Sequence, residues 1–211
     1  MGSLGLLVAR VAVTMAHISP LSSEELETHR ERLAVVEQLM GFVPNSMPTM
    51  ARVPGLLESF QGLARVVLGN DLVPHDLKQL IALVVSIGSG CRYCQSHTAH
   101  SAHRLGVSET RLADVWTFET SDQFSDAERA ALRVAFHAGQ VPNEVTESDM
   151  EELKRHWSDD QIAAIVAVIS LFGYLNRWND TMATTLEDAP RGFGEQILAE
   201  NGWIAGKHHA S

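Results

Sequence analysis

The sequence predicts an all-α protein. Apolar residues recur at helical spacing along nearly all of its 211 residues. Ser, Thr and Asp caps and Gly or Pro stops divide that pattern into helix-length pieces, and no segment alternates apolar and polar residues beside a hairpin turn. Taken in order, Ser22 and Ser23 ahead of Glu24 and Glu25 cap a helix running to Met40, where Gly41 ends it. Residues 42–48 are a loop, because Pro44 and Pro48 cannot continue a helix, and Thr49 caps a short helix before Pro54. Gly55 to Leu68 is the next helix, closed by Gly69-Asn70-Asp71, and Pro74 opens another that reaches Ile87. Gly88-Ser89-Gly90 interrupts the chain, and Cys91 to Leu105 forms a helix stopped by Gly106. A short helix runs from Ser108 to Phe118. Ser125 with Glu128 is a capping box for a helix ending near Ala138, and helices over 146–157 and 158–186 complete the set.

Acidic residues outnumber basic ones by 26 to 16, a formal charge of −10. Such a surface repels phosphate backbones, so neither nucleic acid nor an anionic membrane is an expected partner. There is no unbroken run of eighteen apolar residues. Residues 4–13 are apolar but are broken by Arg10 and lack a preceding positive charge, unlike a secretory signal. The expectation is a flexible extension over residues 1–16, a single domain over 17–211 and a cytoplasmic location.

A repeat emerges when two apolar helices are aligned. Gln79-Leu80-Ile81-Ala82-Leu83-Val84 matches Gln161-Ile162-Ala163-Ala164-Ile165-Val166, and Ile87 matches Ile169 at the same offset. That register suggests two pseudo-repeated lobes, about 70–120 and about 125–190, with the chemistry kept in the first.

Cys91 and Cys94 are the only cysteines, with His97 three residues on. Two thiols at this spacing can cycle between dithiol and disulfide without a partner thiol. At about 100° per residue they share a face, and His97 lies on the other side of Cys94. The helix N-terminus favours a thiolate at Cys91, whereas a histidine at contact favours Cys94. The histidine weighs more, so Cys94 is expected to be the more acidic thiol. Cys91, Cys94, His97 and His100 span half of one helix and cannot converge on one zinc ion; a metal would need a second ligand segment, and none is expected. Gln95 directly after the second cysteine rules out covalent haem attachment, and no cofactor is expected.

With Leu80 to Ser86 before it and Leu105-Gly106-Val107-Ser108 after it, the Cys91-Arg-Tyr-Cys94-Gln-Ser-His97-Thr segment resembles the AhpD-like alkylhydroperoxidase / carboxymuconolactone decarboxylase superfamily, peroxidase-related branch. Phe172-Gly173-Tyr174-Leu175-Asn176-Arg177 fits a paired helix of that branch. The resemblance implies an all-helical fold, a homo-oligomer (trimer, hexamer or dimer), and a thiol-dependent oxidoreductase acting on hydroperoxides. It assigns Cys94 the attack on the peroxide and Cys91 the resolving role, through a Cys91–Cys94 disulfide that a cellular dithiol reduces. The alternatives are a redox-sensing or assembly protein on the same scaffold, or a decarboxylase-like lyase. Two positions depart from the family pattern. Thr98 stands where its histidine usually lies, and Gln79 stands where its relay glutamate lies, so His97 and Gln79 are the corresponding residues here.

Overall fold

The structure, a computed structural model, describes residues 16–209, and helices are its only regular elements among those residues. The first three are α1 (Arg30–Met40), α2 (Ser46–Met50) and α3 (Leu56–Gly69), followed by α4 (His75–Gly88) and α5 (Arg92–Arg104). Then come α6 (Glu109–Ala113), α7 (Asp126–Gly139), α8 (Glu147–His156), α9 (Asp159–Met182) and α10 (Asp188–Phe193), with short 3-10 and π turns between and after them. The all-α expectation holds. The proposed N-terminal extension falls outside the described residues, apart from Ala16.

Helix α4 is the axis of the molecule. Every residue from Leu80 to Ser86 is buried, which a helix tolerates only when neighbours cover it on all sides; α5, α7 and α9 do so here. Its buried Lys78 reaches the carbonyl of Leu68 at 3.3 Å and that of Asn70, placing a cation on the exposed carbonyls at the end of α3. Burial pushes the Lys78 ammonium below its usual pKa, with Asp71 opposing.

Helix α9 packs against α4 and its neighbours, and its Ile162, Ile165, Val168, Ile169 and Phe172 are buried. It is 24 residues long and contains an 18-residue window with a mean hydropathy of 1.3, long and apolar enough to cross a membrane, yet this face lies in the core. Where the repeat aligns the two helices, Ile81 and Val84 of α4 are buried while Ala163 and Val166 of α9 are exposed. The matched residues therefore serve a central helix in one case and an outer one in the other.

Three boundaries differ from expectation. Ser22 and Glu25 exchange capping bonds, but the chain then runs through turns and a 3-10 turn at Glu27–His29 before α1 starts at Arg30. Residues 22–32 have no buried side chain, so no apolar face holds a helix there. Pro48 lies inside α2, in a first turn where its missing N–H costs nothing. Helix α9 stops at Met182, with Ala183 left-handed at φ 48°, and residues 184–208 fold back as α10 and further short turns. No element beyond Leu186 was expected. Pro190 behind Glu187 and Asp188, with Phe193, Ile197 and Leu198 following, is the start signal that marks α10.

Helices α4 and α7 approach closely where Gly88 meets Gly139. A Cβ on Gly88 would sit 2.5 Å from the Phe136 carbonyl oxygen, and one on Gly139 would sit 2.6 Å from that of Val85. Backbone cannot yield as a side chain does. Gly88→Ala and Gly139→Ala are therefore expected to cost about 1–3 kcal/mol each in urea unfolding. Gly62→Ala on α3, where a Cβ meets nothing, should be neutral or stabilising by up to about 1 kcal/mol.

Candidate active site

Helix α5 begins at a sharp turn made by Gly90 at φ 73°, where only glycine is unstrained. Cys91 is the N-cap and Cys94 lies in the first turn. The Cys91 N–H and the Gln95 side chain both donate to the Ser86 carbonyl, at 3.1 and 3.0 Å, which ties this turn to α4. Both thiols are reduced and buried, with 0 % and 3 % exposure.

Asn179 of α9 donates from Nδ2 to Cys94 Sγ at 3.5 Å. Burial pushes the Cys94 thiol well above its ordinary pKa, the neighbouring Cys91 adds to the push, and Asn179 opposes it. This corrects the expectation of an acidic Cys94: desolvation outweighs what the Asn179 amide supplies, and the histidine expected to favour the thiolate is paired with Glu187 instead.

His97 takes its main partner from the other side of the fold. Its Nε2 lies 2.5 Å from Glu187 Oε2, with both side chains about one-tenth exposed. Glu187 also accepts from the Tyr93 hydroxyl at 2.9 Å and from the Asn45 backbone N–H. The Tyr93 ring stacks on the His97 ring with centroids 4.2 Å apart, and Phe42 meets it edge-on at 5.4 Å. Burial raises the Glu187 carboxyl, but His97 by charge and hydrogen bond and the backbone N–H groups outweigh it, so its pKa lies below the usual carboxylate value. The Tyr93 hydroxyl is driven well up by burial and then by Glu187. Gln79 is half-buried on α4 and takes part in none of these bonds. The carboxylate beside His97 thus comes from position 187, not from the position that the family pattern suggested.

A second group faces Cys91. Its Sγ, a carboxylate oxygen of Asp180 and a ring nitrogen of His208 all lie within 4.8 Å of one another. His208 is 1 % exposed, its Nδ1 is 2.8 Å from the Thr184 carbonyl, and its Nε2 is 3.7 Å from Asp180 Oδ1. These residues supply the second segment that the sequence reading required for any metal, and they are donors of a kind that binds one. A cleft of about 460 Å³, lined by Gly88, Ser89, Gly139, Asn176 and Arg177 among others, reaches Asp180 of this group.

The site sits on an all-helical scaffold, with the Cys91-x-x-Cys94 pair at the start of α5. The profile of the carboxymuconolactone decarboxylase family matches residues 54–136. The debrominase Bmp8, solved as a cysteine-to-alanine variant with 2,3,4-tribromopyrrole, is 34% identical over 88% of this chain and 99% of that one, with a TM-score of 0.81. An uncharacterised peroxidase-related protein from Ralstonia eutropha with an AhpD core shares the fold at 23% identity, over 84% of this chain and 94% of its own, with a TM-score of 0.73. The uncharacterised protein YdfG of Bacillus subtilis is 25% identical over 103 residues, 48% of this chain and 68% of its own. The chain belongs to the AhpD-like / carboxymuconolactone decarboxylase superfamily.

Two outcomes follow from these environments. Because the folded Glu187 pKa lies below its ordinary 4.5, its carboxylate stabilises the fold above that pH, and the contribution is lost as pH falls through the folded value. Glu187→Gln should therefore cost about 3 kcal/mol at neutral pH, and the gap to wild type should narrow on acidification to about pH 3. Alkylation of Cys94 by iodoacetamide, followed by mass spectrometry, should accelerate about tenfold per pH unit from about pH 7 to 9. A plateau below pH 8 would mean that the thiolate already exists at rest.

Proposed function

We propose that the protein is a dithiol-dependent reductase in which Cys94 takes an electrophilic atom from the substrate and Cys91 closes a disulfide behind it. The observation that carries this reading is the pair of reduced, buried thiols beside a hydrogen-bonded His97–Glu187–Tyr93 chain that can hold and pass a proton. The form we favour is reductive dehalogenation of a small halogenated aromatic, on the strength of the likeness to Bmp8 over nearly that whole chain. In that reaction the Cys94 thiolate attacks the halogen. The carbon–halogen bond breaks toward carbon, which takes a proton relayed through His97, and a sulfenyl halide forms. Cys91 thiolate then displaces halide ion to give the disulfide, and an external dithiol restores both thiols. The sum is one aryl halide and two thiols converted to arene, disulfide and hydrogen halide.

Buried polar atoms beside the thiols support a site that receives a polar ligand. Asn179 Oδ1, Thr184 Oγ1 and His208 Nε2 have no partner among the described residues, and a buried acceptor left so normally meets water or substrate. Hydroperoxide reduction is the second reading, favoured by the Cys91-x-x-Cys94 motif within the AhpD-like resemblance. It uses the same atoms, with Cys94 taking oxygen as a sulfenic acid, the alkoxide leaving as alcohol, and Cys91 expelling water.

The test measures bromide release from a brominated pyrrole and a brominated phenol, with loss of cumene hydroperoxide in parallel, under a dithiol reductant. Cys94→Ser should abolish the reaction. Glu187→Gln should slow it by about a hundredfold, whereas Gln79→Glu, away from the His97 partner, should leave it unchanged. Turnover that persists in Cys94→Ser would overturn the reading. Reversible disulfide formation without turnover of any of these substrates would favour a redox sensor.

A further inference from the structure

We infer that His208, backed by Asp180, is the proton acceptor for Cys91. This rests on the reading of Cys94 as the attacking thiol, and it assigns chemistry to a residue more than a hundred positions away from the motif.

His208 sits at 1 % exposure with Nδ1 2.8 Å from the Thr184 carbonyl oxygen. A carbonyl can only accept, so Nδ1 carries the hydrogen and donates, and in the neutral ring Nε2 is left with a lone pair. That Nε2 is buried and has no hydrogen-bond partner among the described residues, and a ring nitrogen of His208 lies within 4.8 Å of Cys91 Sγ and of an Asp180 carboxylate oxygen. Leu186 N–H bonds the His208 carbonyl at 2.9 Å, which fixes the segment carrying the ring. Around the imidazole lie Asp180 from α9, Lys207 from its own segment, which pairs with Asp180 Oδ2 at 2.9 Å, and Tyr93 from α5, with ring centroids 5.8 Å apart.

The step balances as follows. Nε2 takes the Cys91 proton directly or through one water, giving a thiolate and an imidazolium that Asp180 Oδ1, 3.7 Å away, stabilises by charge. The thiolate attacks Cys94 sulfur, which carries halogen or hydroxyl from the first step. The sulfur–sulfur bond forms, the sulfur–halogen or sulfur–oxygen bond breaks, and halide leaves, or hydroxide leaves and takes the proton from His208 as water. Asp180 acts through His208 and is a positioning residue. Its carboxylate lines the cleft, which gives the proton a way out to solvent.

The test separates the two steps of one turnover. Reduced protein is mixed with hydrogen peroxide, which oxidises thiolates of many kinds, and quenched with dimedone for mass spectrometry. In His208→Gln, Cys94 sulfenic acid should accumulate and disulfide closure should slow by about a hundredfold, with a much smaller change in the rate of Cys94 oxidation. Asp180→Asn should slow closure by less, and its closure rate should lose the pH profile of wild type. Equal slowing of both steps, or closure at the wild-type rate, would overturn the assignment. A second measurement needs neither variant nor substrate: nitrogen-15 NMR of the wild-type imidazoles should place the His208 hydrogen on Nδ1. Finding it on Nε2, or finding stoichiometric zinc held through Cys91 in the purified protein, would overturn the proposal while leaving the role of Cys94 untouched.

Discussion

The Glu187 carboxylate is the interaction on which the rest of the site depends. It is held near one-tenth exposure by three donors from two separate pieces of chain: the Asn45 backbone, and the Tyr93 hydroxyl and His97 ring of α5. An unpaired carboxylate at that depth would cost several kcal/mol, so the three donors and the acceptor hold one another in place. Because Glu187 leads into α10, the same bonds draw residues 184–208 across α5. There Ser96 bonds the Pro190 carbonyl, and Trp203, 2 % exposed, bonds that of Arg92 at 3.1 Å. At Gly194 a Cβ would meet the Trp203 ring at 2.8 Å, which leaves no room for a larger residue under this cover.

That cover sets the chemistry. A thiol removed from water resists ionisation, and the raised Cys94 pKa is the direct cost. In return, once the substrate's electrophilic atom reaches sulfur, there is little water to compete with Cys91 for it. The fold gathers polar groups around the pair to handle the protons: His97, Glu187 and Tyr93 in one hydrogen-bonded chain, Asp180 and His208 near Cys91, with Asn179 donating to Cys94 itself. Helix α4 provides the rigid base, since the Ser86 carbonyl receives both the Cys91 N–H and the Gln95 amide.

The helices were legible in the sequence because each carries its own apolar period and its own caps. The Ser125, Thr146 and Ser158 boxes all form as the residues imply. Cys91 and Cys94 were legible because their spacing is local. Glu187, Asn179 and His208 were not. They meet α5 from 85 or more residues away in sequence, and helical periodicity reports only which face of a helix is buried, not what meets it. The C-terminal segment concealed itself for a related reason. Its helices are a turn or two long, mixed with glycine, and too short for a period to stand out. In the fold, Asn179 touches a thiol and Asp180 stands beside the other.

The most direct measurement of the central claim is the stoichiometry of a single turnover without added reductant. Fully reduced protein is mixed with excess brominated pyrrole, or with cumene hydroperoxide, and both halide or alcohol and protein disulfide are counted. The account requires one product and one Cys91–Cys94 disulfide per chain, after which the reaction stops until dithiol is added. Continued product formation while both thiols remain free would contradict it.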